Sequence, residues 1–240
     1  MVKKIIKKFL RNLGFEIQRA TIQTSKSSKI NRLFTYYNIN LVLDVGANFG
    51  QYVTFLRDEC GYSGRIVSFE PLSTAHSQLQ TLSKKDPLWE IAPRTAIGNE
   101  EGEITINIAA NSQSSSVLQM LDSHLQAAPE SVYCSSETVK MSMLDSIAQG
   151  YIQDNSNVFL KIDVQGFEKQ VIEGAKNLLP IIQGIQLELS LVPLYRDQLL
   201  FQDMLKLMEE LGYELYGVIP GFTDPKTGRL LQMDGIFFKS

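Results

Sequence analysis

Leu41-Val42-Leu43-Asp44-Val45-Gly46-Ala47-Asn48-Phe49-Gly50 is the stretch whose reading decides the fold. Leu41, Val42 and Leu43 form a short apolar run of the kind that makes a buried strand. Asp44 sits at its end. Gly46 and Gly50 bracket a tight turn into a helix that opens near Phe49. Strand, glycine turn and helix in that order begin a nucleotide-type α/β domain. Glycine at 46 lets the backbone turn sharply and come close to a ligand.

The spacing is not that of a dinucleotide site. That fingerprint is G-x-G-x-x-G, with a pyrophosphate on the helix N-terminus. Here the glycines stand as G-x-x-x-G, and the carboxylate of Asp44 precedes the turn. An anion there repels a pyrophosphate. It suits a ligand carrying positive charge, such as the ammonium and sulfonium of S-adenosylmethionine (SAM). The second anchor is Glu70, at the end of the next apolar strand and 26 positions after Asp44. An acidic residue at the second strand's end can accept hydrogen bonds from both ribose hydroxyls. Each piece alone is weak. Together, in the order strand, turn, helix, strand, Glu, they predict a SAM site.

Composition bounds the rest. A chain of 240 residues fits one large domain with a sizeable core. Its 44% hydrophobic and 20% charged residues are ordinary for a soluble globular protein. A net charge of −3 and a pI of about 5.5 give no reason to expect a nucleic-acid partner. The two cysteines, Cys60 and Cys134, are far apart and suggest neither a disulfide framework nor a zinc site, so a reducing cytoplasmic setting is the simplest reading. No stretch approaches the ~18 apolar residues of a membrane span. The N-terminus has charges threaded through it and does not read as a signal peptide.

Along the chain, residues 1–17 read as a basic amphipathic helix. Lys3, Lys4, Lys7, Lys8 and Arg11 interleave with Ile5, Ile6, Phe9, Leu10 and Leu13. Such a helix either packs on its own domain or touches a membrane surface through residues 1–13. Residues 21–29 are polar and read as a linker, with a short helix from 30. The expected division is therefore an N-terminal extension, 1–36, and a catalytic domain, 37–240. From 41 the strands and helices alternate: strands 41–45, 65–70 and 89–92, with a helix at 49–58 and another at 74–84 capped by Ser73. That rhythm predicts a parallel sheet with right-handed crossovers. Residues 103–109 alternate with period two and read as an antiparallel addition. The Ser-rich stretch 111–137 reads as a long loop, either a lid over the site or disordered. Strands at 158–163 and 184–190 follow, then a helix at 201–211 and a closing strand pair at 213–218 and 235–239.

In an open α/β sheet ligands bind beyond the carboxyl ends of the strands. Asp44, Glu70, Asp163 and Glu188 are placed there. Asp163 ends an apolar run, where a carboxylate is costly unless paired or used. It is either a candidate catalytic residue or a helix cap. Lys161, two residues earlier, points to the same side of the strand, as an ion-pair partner or a substrate contact. Asp163 and Glu188 could also form an oxygen-donor pair suited to Mg²⁺. His76 reads as a surface residue. His124 lies in the Ser-rich stretch and is a reserve candidate for the base.

Several segments together resemble the FkbM family of SAM-dependent methyltransferases. They are the 43–50 turn, Phe69-Glu70-Pro71, Ala96-Ile97-Gly98-Asn99, the serines ahead of Leu118, and Leu160-Lys161-Ile162-Asp163-Val164-Gln165-Gly166-Phe167-Glu168. The resemblance runs from about 40 to 240, including Gly212-Tyr213 and Asp234-Gly235-Ile236-Phe237. Gln165 stands where the family more often has Glu. The resemblance implies a class I methyltransferase (Rossmann-like) fold: a mostly parallel seven-stranded sheet with an antiparallel last strand and helices on both faces. It implies SAM contacts from Asp44, Gly46, Ala47, Asn48, Gly50, Glu70, Pro71, Ala96 and Asp163, and acceptor contacts near Ser115 and Ser116; His124, in the stretch that could fold over the site, is a further acceptor candidate from its position alone. It also implies O-methylation, often of a sugar, glycan or other small-molecule hydroxyl. The rival readings are methylation of an amine or RNA, and a SAM-binding protein without activity.

Overall fold

The structure is a computed structural model and describes residues 9–15 and 21–239. Every residue of β1 (Leu41–Val45) is buried, because both of its faces are covered. Alternate side chains go to opposite faces. Leu41, Leu43 and Val45 pack into one core cluster and Val42 into another. The remaining strands are β2 (Arg65–Phe69), β3 (Trp89–Ile91), β4 (Ala96–Gly98), β5 (Gly102–Ala109), β6 (Tyr133–Met143), β7 (Val158–Ile162), β8 (Ile182–Ser190), β9 (Tyr213–Pro220) and β10 (Gln232–Lys239).

Seven of them form one sheet in the order β3-β2-β1-β7-β8-β10-β9. The pairs among β1, β2, β3, β7 and β8 are parallel. The last strand, β10, runs antiparallel to both of its neighbours. This is the sheet expected from the sequence. The strand order reverses between β1 and β7, so the switch point lies at the carboxyl end of β1.

The helix Phe201–Glu210 places Met204 and Met208 in the first core cluster. On the opposite face Ile30 and Phe34 of the helix Lys26–Tyr36 meet Phe159 and Phe238. The polar stretch 21–29 is therefore not a plain linker. Ser25 caps this helix, its side chain accepting from the Ser28 N–H at 3.2 Å, and the serines that suggested a loop make up the cap and first turn. Ser73 is likewise the first residue of the helix Ser73–Ser83 rather than its cap. The helix after β1 is a short α segment, Gln51–Thr54, that widens into a π turn, Phe55–Glu59.

The Ser-rich stretch 111–137 is not one long loop. It contains the helix Asp122–Ala127, the turn Pro129–Ser131 and the first residues of β6. β5 pairs with β6 from Gly102↔Met141 to Ala109↔Tyr133, and β4 joins β6 in parallel. The period-two segment thus belongs to a separate three-stranded sheet rather than to the main one. The basic segment 1–17 lies outside the described residues except for 9–15. Among the described residues no helix is long and apolar enough to cross a membrane.

Candidate functional site

A cavity of about 370 Å³ opens over the carboxyl ends of β1, β2, β7 and β8, at the switch point. The turn after β1 makes its first wall. Gly46, Asn48 and Gly50 all have positive φ, at +78°, +47° and +83°. Glycine is required at 46 for a second reason. A Cβ there would stand 1.8 Å from the Asp163 carbonyl oxygen. The turn therefore passes directly against the end of β7. Gly46, Ala47 and Asn48 line the cavity. Gly50 does not. It begins the next helix, packed against Trp89 and Leu79.

Glu70 binds this turn to the second strand. One carboxylate oxygen accepts the Asn48 N–H at 2.7 Å and the other the Leu72 N–H at 2.8 Å. Each oxygen retains a lone pair for a ligand hydroxyl. Burial pushes the carboxyl up to about 7, against the two backbone N–H bonds, with Asp44 and Asp163 adding to the rise. Pro71, Leu72, Thr95, Ala96 and Ile97 continue the wall beyond it, a mostly apolar slot beside a polar anchor. Such a slot could take an adenine ring beside a ribose.

Asp44 does not line the cavity. It is fully buried beneath it, one oxygen accepting from Ser68 at 3.1 Å and the other unpartnered. Burial raises its carboxyl to about 6, although Lys161 opposes the shift. The register explains the pairing: Ser68, Asp44, Lys161 and Gln186 are cross-strand partners on β2, β1, β7 and β8. They form one polar row, in which Asp44 and Ser68 lie beneath the cavity and Lys161 and Gln186 line it.

Above that row stand the carboxylates of Asp163 and Glu188, both lining the cavity. Lys161 donates to Asp163 Oδ2 at 2.8 Å. That ion pair holds the Asp163 carboxyl below its usual range despite burial. Burial raises Glu188 well above the usual carboxylate range, with Asp163, Glu168 and Asp234 adding to it. The Gln165 amide lies between the two carboxylates and donates to Asp163 Oδ1 at 2.8 Å and to Glu188 Oε2 at 2.7 Å. An N–H donor in that position suits two anions and does not suit a cation. Among the described residues no group of three or more His, Cys, Asp or Glu is placed to hold a metal ion. The donor set therefore gives the expected Mg²⁺ no support.

Ser115 and Ser116 close the cavity from the segment after β5. Ser115 accepts the Ala109 N–H at 3.0 Å, and Ser116 donates to the Gln165 carbonyl at 2.6 Å. His124 is not among the lining residues. It is buried between the rings of Tyr195 and Phe222, each centroid 5.2 Å away. His76 is not a surface residue either: it is buried, and its Nε2 meets the Ala92 carbonyl at 2.9 Å.

Three other lining residues, Lys26, Gln186 and Asp234, are not among the expected site residues. Lys26 comes from the stretch read as a linker and pairs with Asp234 at 3.6 Å. Gln186 accepts from the Tyr52 hydroxyl and donates to Asp234, at 3.1 Å each. Asp234 is opposite Glu188 in the β8–β10 register, which no local pattern reveals.

A seven-stranded sheet in this order, with a glycine turn, two acidic strand ends and a cavity at the switch point, defines a domain of the class I methyltransferase type. The family model described as "Methyltransferase FkbM domain" matches residues 44–215, and the chain belongs to that family. Among solved structures it is similar to a methyltransferase FkbM from Methylobacillus flagellatus KT, at 13% identity and a TM-score of 0.49, over 82% of this chain and 44% of that one. It is also similar to TehB from Haemophilus influenzae, at 10% and 0.47, over 90% and 63%. A third is an rRNA methylase from Streptococcus thermophilus, at 10% and 0.44, over 92% and 99%. The chain thus spans less than two thirds of the first two structures it matches. No curated protein sequence matches it.

Proposed function

We propose that this protein moves the methyl group of SAM to a hydroxyl of a sugar, glycan or related small molecule. The observation that carries the reading is the pair Asp163 and Glu188, opening on the same cavity as the Glu70 anchor. SAM supplies an electrophilic methyl group on its sulfonium. In this reading Glu70 takes the ribose hydroxyls, the 46–48 turn the amino-acid end, and the slot at Leu72, Ala96 and Ile97 the adenine.

The acceptor hydroxyl then lies toward β7 and β8. Asp163, fixed by Lys161, accepts a hydrogen bond and orients it. Glu188 takes its proton as the new O–C bond forms and the C–S bond breaks. A carboxyl raised toward the working pH is the better base, which favours Glu188 over Asp163 for that step. Most of the remaining rate comes from holding the two reactants in line. The same reading keeps the protein cytoplasmic, with the basic segment 1–13 as a contact for a membrane surface that carries lipid-linked acceptors.

The test is SAM turnover against a panel of sugars and glycans, followed through release of S-adenosylhomocysteine. Turnover with a hydroxyl acceptor is expected. Turnover only with amines or RNA overturns the acceptor class, and SAM binding without turnover on any acceptor overturns the catalytic reading.

A further inference from the structure

Gln165 sits in the turn between β7 and the helix Glu168–Glu173, and its backbone is left-handed at φ +54°. A residue other than glycine adopts that conformation at a cost, and such positions persist where the surroundings fix them. Here Glu168 does the fixing. One of its carboxylate oxygens accepts the N–H of Val164 at 3.3 Å and of Gly166 at 3.1 Å. The turn so held directs the Gln165 side chain into the cavity, between two strand ends.

The amide is tied at both of its ends. Nε2 donates to Asp163 and to Glu188, while Oε1 accepts from the Tyr195 hydroxyl at 2.8 Å. The two carboxylates, which only accept, decide which way the amide faces, and the Tyr195 hydroxyl, which also lies 3.2 Å from the Ser114 carbonyl, meets its oxygen. The main-chain carbonyl of Gln165 takes the Ser116 hydroxyl, so the wall of residues 115 and 116 rests on it too. The charges around the pair are mixed. Lys161 and Lys26 are positive; Asp44, Glu168 and Asp234 are acidic. Two carboxylates this close repel, and a shared neutral donor offsets that repulsion without adding a third charge.

We infer that Gln165 is a positioning residue, whose amide, backed by the Tyr195 hydroxyl, holds the Asp163 and Glu188 carboxylates together at the acceptor end of the cavity. The inference rests on the proposed methyl transfer for its functional meaning, and on the hydrogen bonds for its geometry. Gln165→Met keeps the length and removes the amide. Tyr195→Phe keeps the ring and removes the hydroxyl that meets the amide oxygen.

Two readouts test it on the full chain. The first is kcat and KM for the best acceptor found for the wild type, beside S-adenosylhomocysteine affinity by calorimetry. In Gln165→Met, kcat is expected to fall about 100-fold through misplacement of the reacting groups, with cofactor affinity unchanged and the melting temperature lowered by the partners left unpaired. Tyr195→Phe should show a smaller loss of the same kind. An unchanged kcat overturns the inference, and so does an equal loss of cofactor affinity, which marks a merely structural role. The second readout needs no acceptor: crystal structures of wild type and Gln165→Met with S-adenosylhomocysteine. Glu188 is expected to turn away from Asp163 in the variant, and an unmoved Glu188 overturns the inference even if no acceptor is methylated. Should Gln165→Met fail to fold, Gln165→Asn accepts left-handed backbone, shortens the reach and carries the same expectations.

Discussion

Gly46 lies so close to Asp163 that a Cβ on residue 46 would fall 1.8 Å from the Asp163 carbonyl oxygen. The turn after β1 and the chain just past β7 are therefore packed backbone to backbone. Gly46→Ala adds a left-handed non-glycine residue to a clash that no side-chain rotation relieves. The expected loss of stability is at least about 1–3 kcal/mol, the usual cost of such backbone strain. Thermal melting checks it, and calorimetry should show S-adenosylhomocysteine binding lost or severely weakened. A variant with wild-type melting and wild-type binding would refute the contact.

Cofactor affinity should depend on pH through Glu70. Its carboxyl is raised to about 7 and must be ionised to accept from two backbone N–H groups and from ribose hydroxyls. Binding therefore favours the deprotonated form and strengthens as pH rises through about 7. Between pH 8 and pH 6 the affinity should drop roughly tenfold, the ratio expected for one proton taken up one unit below the pKa. The apo protein carries the opposite sign. A carboxyl raised on folding loses stability for the fold as pH climbs from its unfolded value to its folded one. Calorimetry at three pH values checks the first statement, with Glu70→Gln weak and flat across them. A pH-independent wild-type affinity would remove Glu70 from the site.

Much of this was legible in the sequence because the physics was local. The strand, the G-x-x-x-G turn and the acidic strand ends each follow from one short window, and Gly46 obeys a steric rule. The polar stretches were harder. Ser25 and the serines of 112–116 look like loop, yet each satisfies a particular backbone or side-chain group. Asp234, Gln186 and Lys26 reach the cavity only through register and helix packing, which lie beyond any local pattern. His76 and His124 are polar residues taken up by apolar surroundings, and a single sequence does not reveal burial of that kind.

Lys161 should matter more to stability than its place in a strand suggests. It is buried, bonded to Asp163, and the cross-strand partner of Asp44. Lys161→Met leaves both carboxylates without their counter-charge. Breaking a buried pair typically costs about 3–5 kcal/mol, and the lower end applies because Asp163 is partly exposed. The sign with pH follows from Asp163, whose carboxyl is held below its usual value. Its contribution is full above the unfolded pKa and lost as pH falls through the folded one. Denaturant unfolding of the wild type and Lys161→Met should therefore converge toward acid pH. A constant gap between them would contradict the pairing.

Glu188→Gln removes the proposed proton acceptor and keeps its size. Turnover should fall about 10²–10⁴-fold, as for loss of a general base, while cofactor affinity holds. Because the Glu188 carboxyl is raised, wild-type turnover should rise with pH as it ionises, and the variant should lose that limb. Chelation by EDTA should leave wild-type turnover unchanged, since the space between the two carboxylates is filled by an amide donor. Activity lost to EDTA and restored by Mg²⁺ would return the pair to a metal.

The central claim is that one cavity binds SAM and passes its methyl group to oxygen. The most direct measurement uses SAM labelled with ¹³C at the methyl group, incubated with the protein and the acceptor found in the glycan panel. The account predicts a ¹³C NMR signal of a methyl ether in the product, absent with Glu70→Ala and nearly absent with Glu188→Gln. Label appearing on nitrogen, or an equally strong ether signal from Glu188→Gln, would contradict it.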